Sequence, residues 1–215
     1  MPNQSPVTPL MADVDQNEET ARRVLDGCIE QLSTSTVGDS QWIEACQLLG
    51  QIDPAFVPMQ IEALADDRYQ VCRALAVALS RIGPSIFYDV IQALEHDHPN
   101  VRQFAAGLLY GLAQRGGVVI GDAVPALAAA LQDPDCRVRH KAAVTLESIG
   151  REAEAAIPNL SEALSDEDDF VREWAAHALG AIGPAAADAV PALTEALLDD
   201  ETCVRQAACE ALRFC

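Results

Sequence analysis

Four histidines, seven cysteines and a short basic run are the side chains of this 215-residue sequence best suited to chemistry. His96 and His98 flank Asp97, a spacing that lacks the i, i+4 geometry of two metal ligands on one helix face. Cys203, Cys209 and Cys215 recur every six residues, which on a continuing helix turns each side chain about 120° from the last. No Cys-x-x-Cys pair occurs, so a zinc or iron–sulfur site made by this chain alone is not indicated, while one shared with a partner stays open. The odd cysteine count, without framework spacing, reads as reduced thiols. Arg137, Arg139, His140 and Lys141, with Arg151 beyond them, are either a receptor for an acidic group or a solvated face. No phosphate-binding loop, Gly-x-Ser-x-Gly elbow or paired metal-ligand helix is present. The sequence therefore assigns no catalytic residue and no metal ligand.

The elements that would position these residues are set by internal repetition. Val124-Pro125-Ala126-Leu127, Ile157-Pro158-Asn159-Leu160 and Val190-Pro191-Ala192-Leu193 are spaced 33 residues apart. Val138-Arg139, Val171-Arg172 and Val204-Arg205 follow them with the same period. Going backwards the pattern drifts: Val101-Arg102, then Val71-Cys72, then a degenerate first repeat from Glu18–Leu32 and Trp42–Ile52. Gln114 to Gly121 lengthens one connecting loop.

Six units result, each predicted to be helix, turn, helix, turn. Proline opens the first helix, where its missing N–H costs nothing. An acidic turn such as Asp166-Glu167-Asp168-Asp169 ends that helix and caps the next. Val138, Ala142, Leu146 and Ile149 form one apolar stripe along the second helix, and Gly83-Pro84 or Gly183-Pro184 stops it. Such a unit cannot bury its own face, so the repeats must stack. The predicted fold is an all-α, α-α superhelix over 18–215, preceded by a disordered tail over 1–17 that is polar and holds Pro2, Pro6 and Pro9. Half of the chain is apolar, chiefly Ala and Leu with ten aromatics, a composition suited to closely packed helices.

A net charge of −19 repels phosphate backbones and anionic membranes, so nucleic acid is not an expected partner. No apolar run approaches the roughly 20 residues of a membrane span, and Met1 to Asn17 has no signal-peptide pattern. Together with free thiols these absences point to the cytoplasm.

The Pro-x-Leu opening, the Asp preceding Val-Arg and the Ala-Ala-x-x-Leu-Gly-x-Ile-Gly close resemble the HEAT-like repeat of the phycobilisome-lyase type. That family includes bilin lyase subunits and phycobilisome degradation factors, and the resemblance covers roughly residues 40–213. Neither the Thr-Pro-Leu-His signature of ankyrin repeats nor the tetratricopeptide pattern is found. The resemblance implies a structural ladder in the turn layer, in which Arg102, Arg139, Arg172 and Arg205 meet Asp133, Asp166 and Asp199 of neighbouring repeats. Cys72 occupies this column in the second repeat, so the ladder is expected to break there, with Arg73 as the substitute.

The second helices of such solenoids line the concave face, the usual binding surface. Positions two, three and six after each Val lie off the core stripe and vary: Arg73, then Gln103 and Phe104, then His140 and Lys141, then Glu173, Trp174 and His177. Trp174 and Phe104 are the strongest anchors for a partner, since large aromatics dominate interface energetics; the alternative is that they fill gaps between helices. Cys46 and Cys209 align with Ala76, Ala106, Ala143 and Ala176 and read as packing residues.

Three functions compete. The first is a non-catalytic scaffold that grips another protein, with a phycobiliprotein or a second HEAT-like subunit as the partner the resemblance implies. The second is a phycobilin lyase or isomerase subunit; a bilin is then the one cofactor to consider, with His177 as its acid or base. The third is an accessory protein for iron–sulfur assembly. The final residues, Leu212-Arg213-Phe214-Cys215, follow the last helix without a polar cap, which predicts self-association or docking at that end.

Overall fold

A computed structural model describes residues 18–115 and 119–215. The expected tail, 1–17, and the middle of the lengthened loop lie outside the described residues. Among the described residues the chain is helical throughout, without a strand. Six helix pairs follow one another: α1 (Glu18–Thr34) with α2 (Ser40–Leu49), α3 (Val57–Glu62) with α4 (Tyr69–Ile82), and α5 (Phe87–Gln92) with α6 (Pro99–Arg115). Then come α7 (Val124–Ala130) with α8 (Cys136–Ile149), α9 (Ile157–Ala163) with α10 (Asp169–Ile182), and α11 (Val190–Ala196) with α12 (Thr202–Ala211). This is the α-α superhelix class of fold. The chain forms two compact units, one ending at Phe104 and one running Ala105–Cys215, with their boundary inside α6.

Local chemistry accounts for these limits. Pro58, Pro125, Pro158 and Pro191 stand in the first turn of α3, α7, α9 and α11, where no amide donor is missed. Asp39, Asp135 and Asp168 accept backbone N–H groups at the starts of α2, α8 and α10. Gly83, Gly150 and Gly183 end α4, α8 and α10 with φ of 86°, 65° and 79°, a conformation costly for any residue with a Cβ. The first helices of the repeats prove short, six or seven residues from α3 to α11, and are extended by 3-10 turns at one or both ends.

In the second unit α10 packs between α8 and α12. Val138, Ala142 and Leu146 of the predicted stripe are wholly buried; Ile149, in the last turn, is only half-buried. Ala143 and Ala176 are buried where successive second helices meet, and their small size lets the backbones approach. The approach is tightest at Gly180 of α10, where a Cβ would stand 3.0 Å from the Ala211 Cα and 3.2 Å from its Cβ. Thr145 binds the same layer through a polar contact, its hydroxyl 2.9 Å from the Ala106 carbonyl.

The turns carry a repeated polar arrangement. The Nη1 of Arg102, Arg139, Arg172 and Arg205 each donates to the carbonyl six residues earlier, at His96, Asp133, Asp166 and Asp199, over 2.6–2.9 Å. In the second unit Arg139 also reaches forward to Asp166 with two bonds of 2.7 and 2.9 Å, and Arg172 reaches Asp199 with bonds of 2.7 and 3.1 Å. Each of these Asp residues also accepts the N–H two residues on, from Asp168 and Glu201, as Asp133 accepts that of Asp135. One carboxylate thus shapes its own turn and joins it to the preceding repeat. Among the described residues Arg205 has no forward acidic partner, and it bonds Thr202 instead.

In the second repeat the arrangement differs from the sequence expectation. Arg73 is exposed and does not substitute, because one residue along a helix rotates a side chain by about 100°. The Cys72 thiol approaches the Asp66 carbonyl at 2.9 Å, Asn100 donates to the same oxygen, and the Asp66 carboxylate pairs with Arg68. In the third repeat His96 takes the position of the ladder aspartates, its Nδ1 accepting the His98 N–H at 3.0 Å.

Gly180→Ala should destabilise by about 1–3 kcal/mol, because the new methyl meets backbone. Gly111→Ala, in a part of α6 where a Cβ meets nothing within 4 Å, should stabilise by about 0.5–1 kcal/mol; urea denaturation measures both. Arg139→Met, which strands a carboxylate in a pair with side chains 8% and 10% exposed, should cost about 3–5 kcal/mol. Arg205→Met, which loses charge-assisted hydrogen bonds but no ion pair, should cost nearer 1.5–3 kcal/mol. The Arg172 guanidinium, helped by the Glu201 N–H, holds the Asp199 carboxyl below its ordinary value. A depressed folded-state pKa stabilises above the unfolded value of about 4 and ceases to do so as pH falls below it. The stability lost on acidification below about pH 4 should therefore shrink in Asp199→Asn, read from chemical denaturation midpoints across pH 2.5–7.

Candidate functional site: an aromatic face on the second helices

Phe170, Trp174 and His177 follow one another at i, i+4 and i+7 on α10, so one helical face carries all three. The His140 ring of α8 completes the group, with centroids 6.0 Å from Phe170 and 6.4 Å from Trp174. Trp174 and His177 are 5.4 Å apart. Phe170 is 55% exposed, while Trp174, His177 and His140 are half-buried. Burial, and secondarily the Lys141 charge, holds the His140 imidazole below its ordinary pKa, so the ring is neutral at pH 7. Glu173 and Asp168 oppose that shift from the acidic side of the ring. Lys141 lays its methylenes beside Gly107, where a Cβ would sit 3.8 Å away, and covers apolar surface with its stem.

The first unit carries a smaller counterpart. Phe104 is half-buried, with the 62%-exposed Tyr69 ring 6.4 Å away; Gln103 is half-buried and Arg73 exposed. The structure thus brings His140, Trp174 and His177 together, with Lys141 and Glu173 alongside. Arg73, Gln103 and Phe104 belong to the other unit. Sequence reasoning missed Phe170 and Tyr69, which precede the Val-Arg landmark. The i, i+4 relation of Phe170 to Trp174 was the signal that would have found the first.

The basic run is largely consumed within the chain. Arg137 is held by Asp135 through bonds of 3.0 and 2.7 Å, and Arg139 by Asp166, leaving His140 and Lys141 on the face. His96 accepts at Nδ1 and so presents Nε2–H to Glu62 at 3.2 Å. His98 likewise accepts the Asn100 N–H at 3.3 Å. Clefts of about 360 and 440 Å³ open at the Arg139–Asp166 and Arg172–Asp199 pairs, but these charges already satisfy one another. Among the described residues no three His, Cys, Asp or Glu side chains are grouped to hold a metal ion.

All seven cysteines are free. Burial pushes the Cys28 thiol up to about 12 and those of Cys46 and Cys72 to about 11, so none is an available nucleophile at neutral pH. Cys46 is a buried packing residue, but Cys209 is exposed, contrary to its alignment with the alanine column. N-ethylmaleimide at pH 7.5 should accordingly modify Cys209 first and reach Cys28, Cys46 and Cys72 only on unfolding, as read by peptide mass spectrometry.

The sequence matches the family of HEAT repeats over residues 87–157 and 124–213, together more than half of the chain. No match was found among curated proteins. Among solved structures, YibA of Escherichia coli is similar at 22% identity, covering 90% of this chain and 73% of that one with a TM-score of 0.64. The complex of CpcE and CpcF of phycocyanin lyase from Nostoc sp. PCC7120 gives 19% identity, coverage of 74% and 99%, and a TM-score of 0.62. A designed armadillo repeat protein in complex with the peptide (KR)4 gives 16%, 96% and 97%, and 0.59. These likenesses are of fold, and together with the sequence match they lead to one statement of kinship: the chain belongs to the HEAT repeat family.

Proposed function

We propose that this protein is a binding scaffold that holds a partner protein on the face of its second helices. Arg73, Gln103 and Phe104 serve in the first unit, and His140, Lys141, Glu173, Trp174 and His177 in the second. The observation that carries this reading is the partly exposed Phe170–Trp174–His177–His140 cluster in a protein whose interior is mainly Leu, Ala and Val. Aromatic side chains left partly in water, beside satisfied ion pairs and apart from the core stripe, have the composition of interface anchors. Within the second unit Arg139, Asp166, Arg172 and Asp199 are the structural ladder that holds the face in register, with Asp133 and Arg205 bracing their own turns there and Arg102 its own turn in the first unit.

Among partners, a phycobiliprotein or a second HEAT-like subunit comes first, since a solved relative in fold is the two-chain CpcE–CpcF complex of a phycocyanin lyase. Within the same resemblance the second reading is a lyase or isomerase subunit, with His177, 5.4 Å from Trp174, as its acid or base. Seven free thiols accord with work in the cytoplasm.

Trp174→Ala separates anchoring from packing. An anchor loses partner binding by tenfold or more while stability changes by less than about 1 kcal/mol; a core tryptophan costs about 3–5 kcal/mol. Binding to purified phycocyanin subunits and to candidate HEAT-like chains is read by calorimetry. Phycocyanobilin added to the protein tests the second reading, which requires a shifted visible absorption band that weakens in His177→Ala.

A further inference from the structure

The aromatic face of the second unit continues into a cleft of about 290 Å³, lined by Glu147, His177, Gly180, Ala181, Glu210, Ala211 and Phe214. Its floor is the Gly180–Ala211 contact, the closest approach found at any glycine of the described residues, which leaves a hollow between α10 and α12. Phe214, 60% exposed, forms an apolar wall, and His177 joins the cleft to Trp174. Carboxylates line this hollow from two helices, Glu147 of α8 and Glu210 of α12, while Glu173 of α10 stands near the His140 ring. None has an ion-pair partner among the described residues, in contrast to the ladder aspartates. The cations on these faces are Lys141, whose stem is laid beside Gly107, and exposed Arg213; Arg137, Arg139 and Arg172 are taken by aspartates.

Resting on the scaffold reading above, we infer that this face receives a lysine- or arginine-bearing segment of the partner protein, one cationic head entering the Glu147–Glu210 cleft and another lying over Trp174 beside Glu173. The chemistry is complementary at three levels. A whole-molecule charge of −19 attracts a cationic chain over distance. Unpaired carboxylates supply charge-assisted hydrogen bonds at the cleft. The Trp174 and Phe170 ring faces attract a cation through their quadrupole, an interaction strongest for tryptophan and for arginine. The aliphatic stems of Lys or Arg pack against Phe214 and Ala181, so the cleft accommodates the whole side chain. A free inorganic cation has no use for the aromatic walls.

The protein has two tryptophans, so a Trp42→Phe background makes Trp174 the sole reporter. Alternating Lys–Arg octapeptide at 0.15 M salt should change Trp174 fluorescence saturably, and the Glu–Asp octapeptide should not. In the same background Glu147→Gln with Glu210→Gln should weaken the cationic peptide about tenfold or more, with helical circular dichroism retained. Glu195→Gln, away from this face, should leave affinity within twofold. The inference is overturned if both peptides act alike, if the double variant binds as tightly as its parent, or if spermine reproduces the response at equal charge concentration. The phycocyanin and HEAT-chain binding measured with Trp174→Ala keeps the two readings apart. Binding that needs Trp174 but is unaffected by the Glu147/Glu210 variant overturns the cationic assignment and preserves the scaffold. Binding insensitive to Trp174 removes the face itself.

Discussion

The approach of one second helix to the next is the constraint on which the second unit depends. α10 can lie against both α8 and α12 only because alanine and glycine occupy the touching positions, with Gly180 against Ala211 as the limiting case. A larger side chain at any of these points would widen the layer and break the geometry of everything attached to it. The ladder follows from that spacing. An arginine can reach an aspartate 27 residues on, with two short bonds, only when successive turns are held at a fixed separation. Packing sets the distance and the ion pairs then select the register, since a bidentate pair tolerates little sliding.

The same constraint explains where large polarizable side chains can be placed. Positions used by the stack must be small, and positions facing the first helix of the same repeat must be Val, Leu or Ile. Only the remaining face admits Trp, Phe and His. The aromatic group of α8 and α10 is consequently a surface feature carried on a rigid support, with most of each inner ring shielded. Rigid aromatics lose little side-chain entropy on binding, which is the physical advantage of building a contact surface in this way. The carboxylates around that surface are of a different kind from those in the turns. Turn aspartates cap helices and meet arginines, whereas Glu147, Glu173 and Glu210 are on helix faces without such partners among the described residues.

Departures from the repeat are equally physical. Cys72 in place of arginine still satisfies the Asp66 carbonyl but cannot reach an acid in the next turn, and His96 replaces the aspartate that such a bond would require. The two substitutions are matched, one removing the donor and the other the acceptor. Neither leaves a buried charge, so the first unit forms its turns without the ion pairs of the second. Cys209 shows the opposite case, in which a position that aligns with buried alanines of other repeats carries a surface thiol.

By itself the sequence determined the helix pairs, because a 33-residue period, first-turn prolines, capping aspartates and terminal glycines are local signals that act within a few residues. It also marked Trp174, His177 and His140 as lying off the core stripe. Only the tertiary structure decided which charges are free. Arg137 and Arg139 read alike as a basic patch, yet both are neutralised, one by a neighbour two residues away and one by a carboxylate 27 residues on. It also joined Glu147, His177 and Glu210 in one cleft, residues whose spacing reveals nothing until three helices stack side by side. Helix signals are local in the chain, whereas the balance of charge at a surface depends on what folding brings next to it.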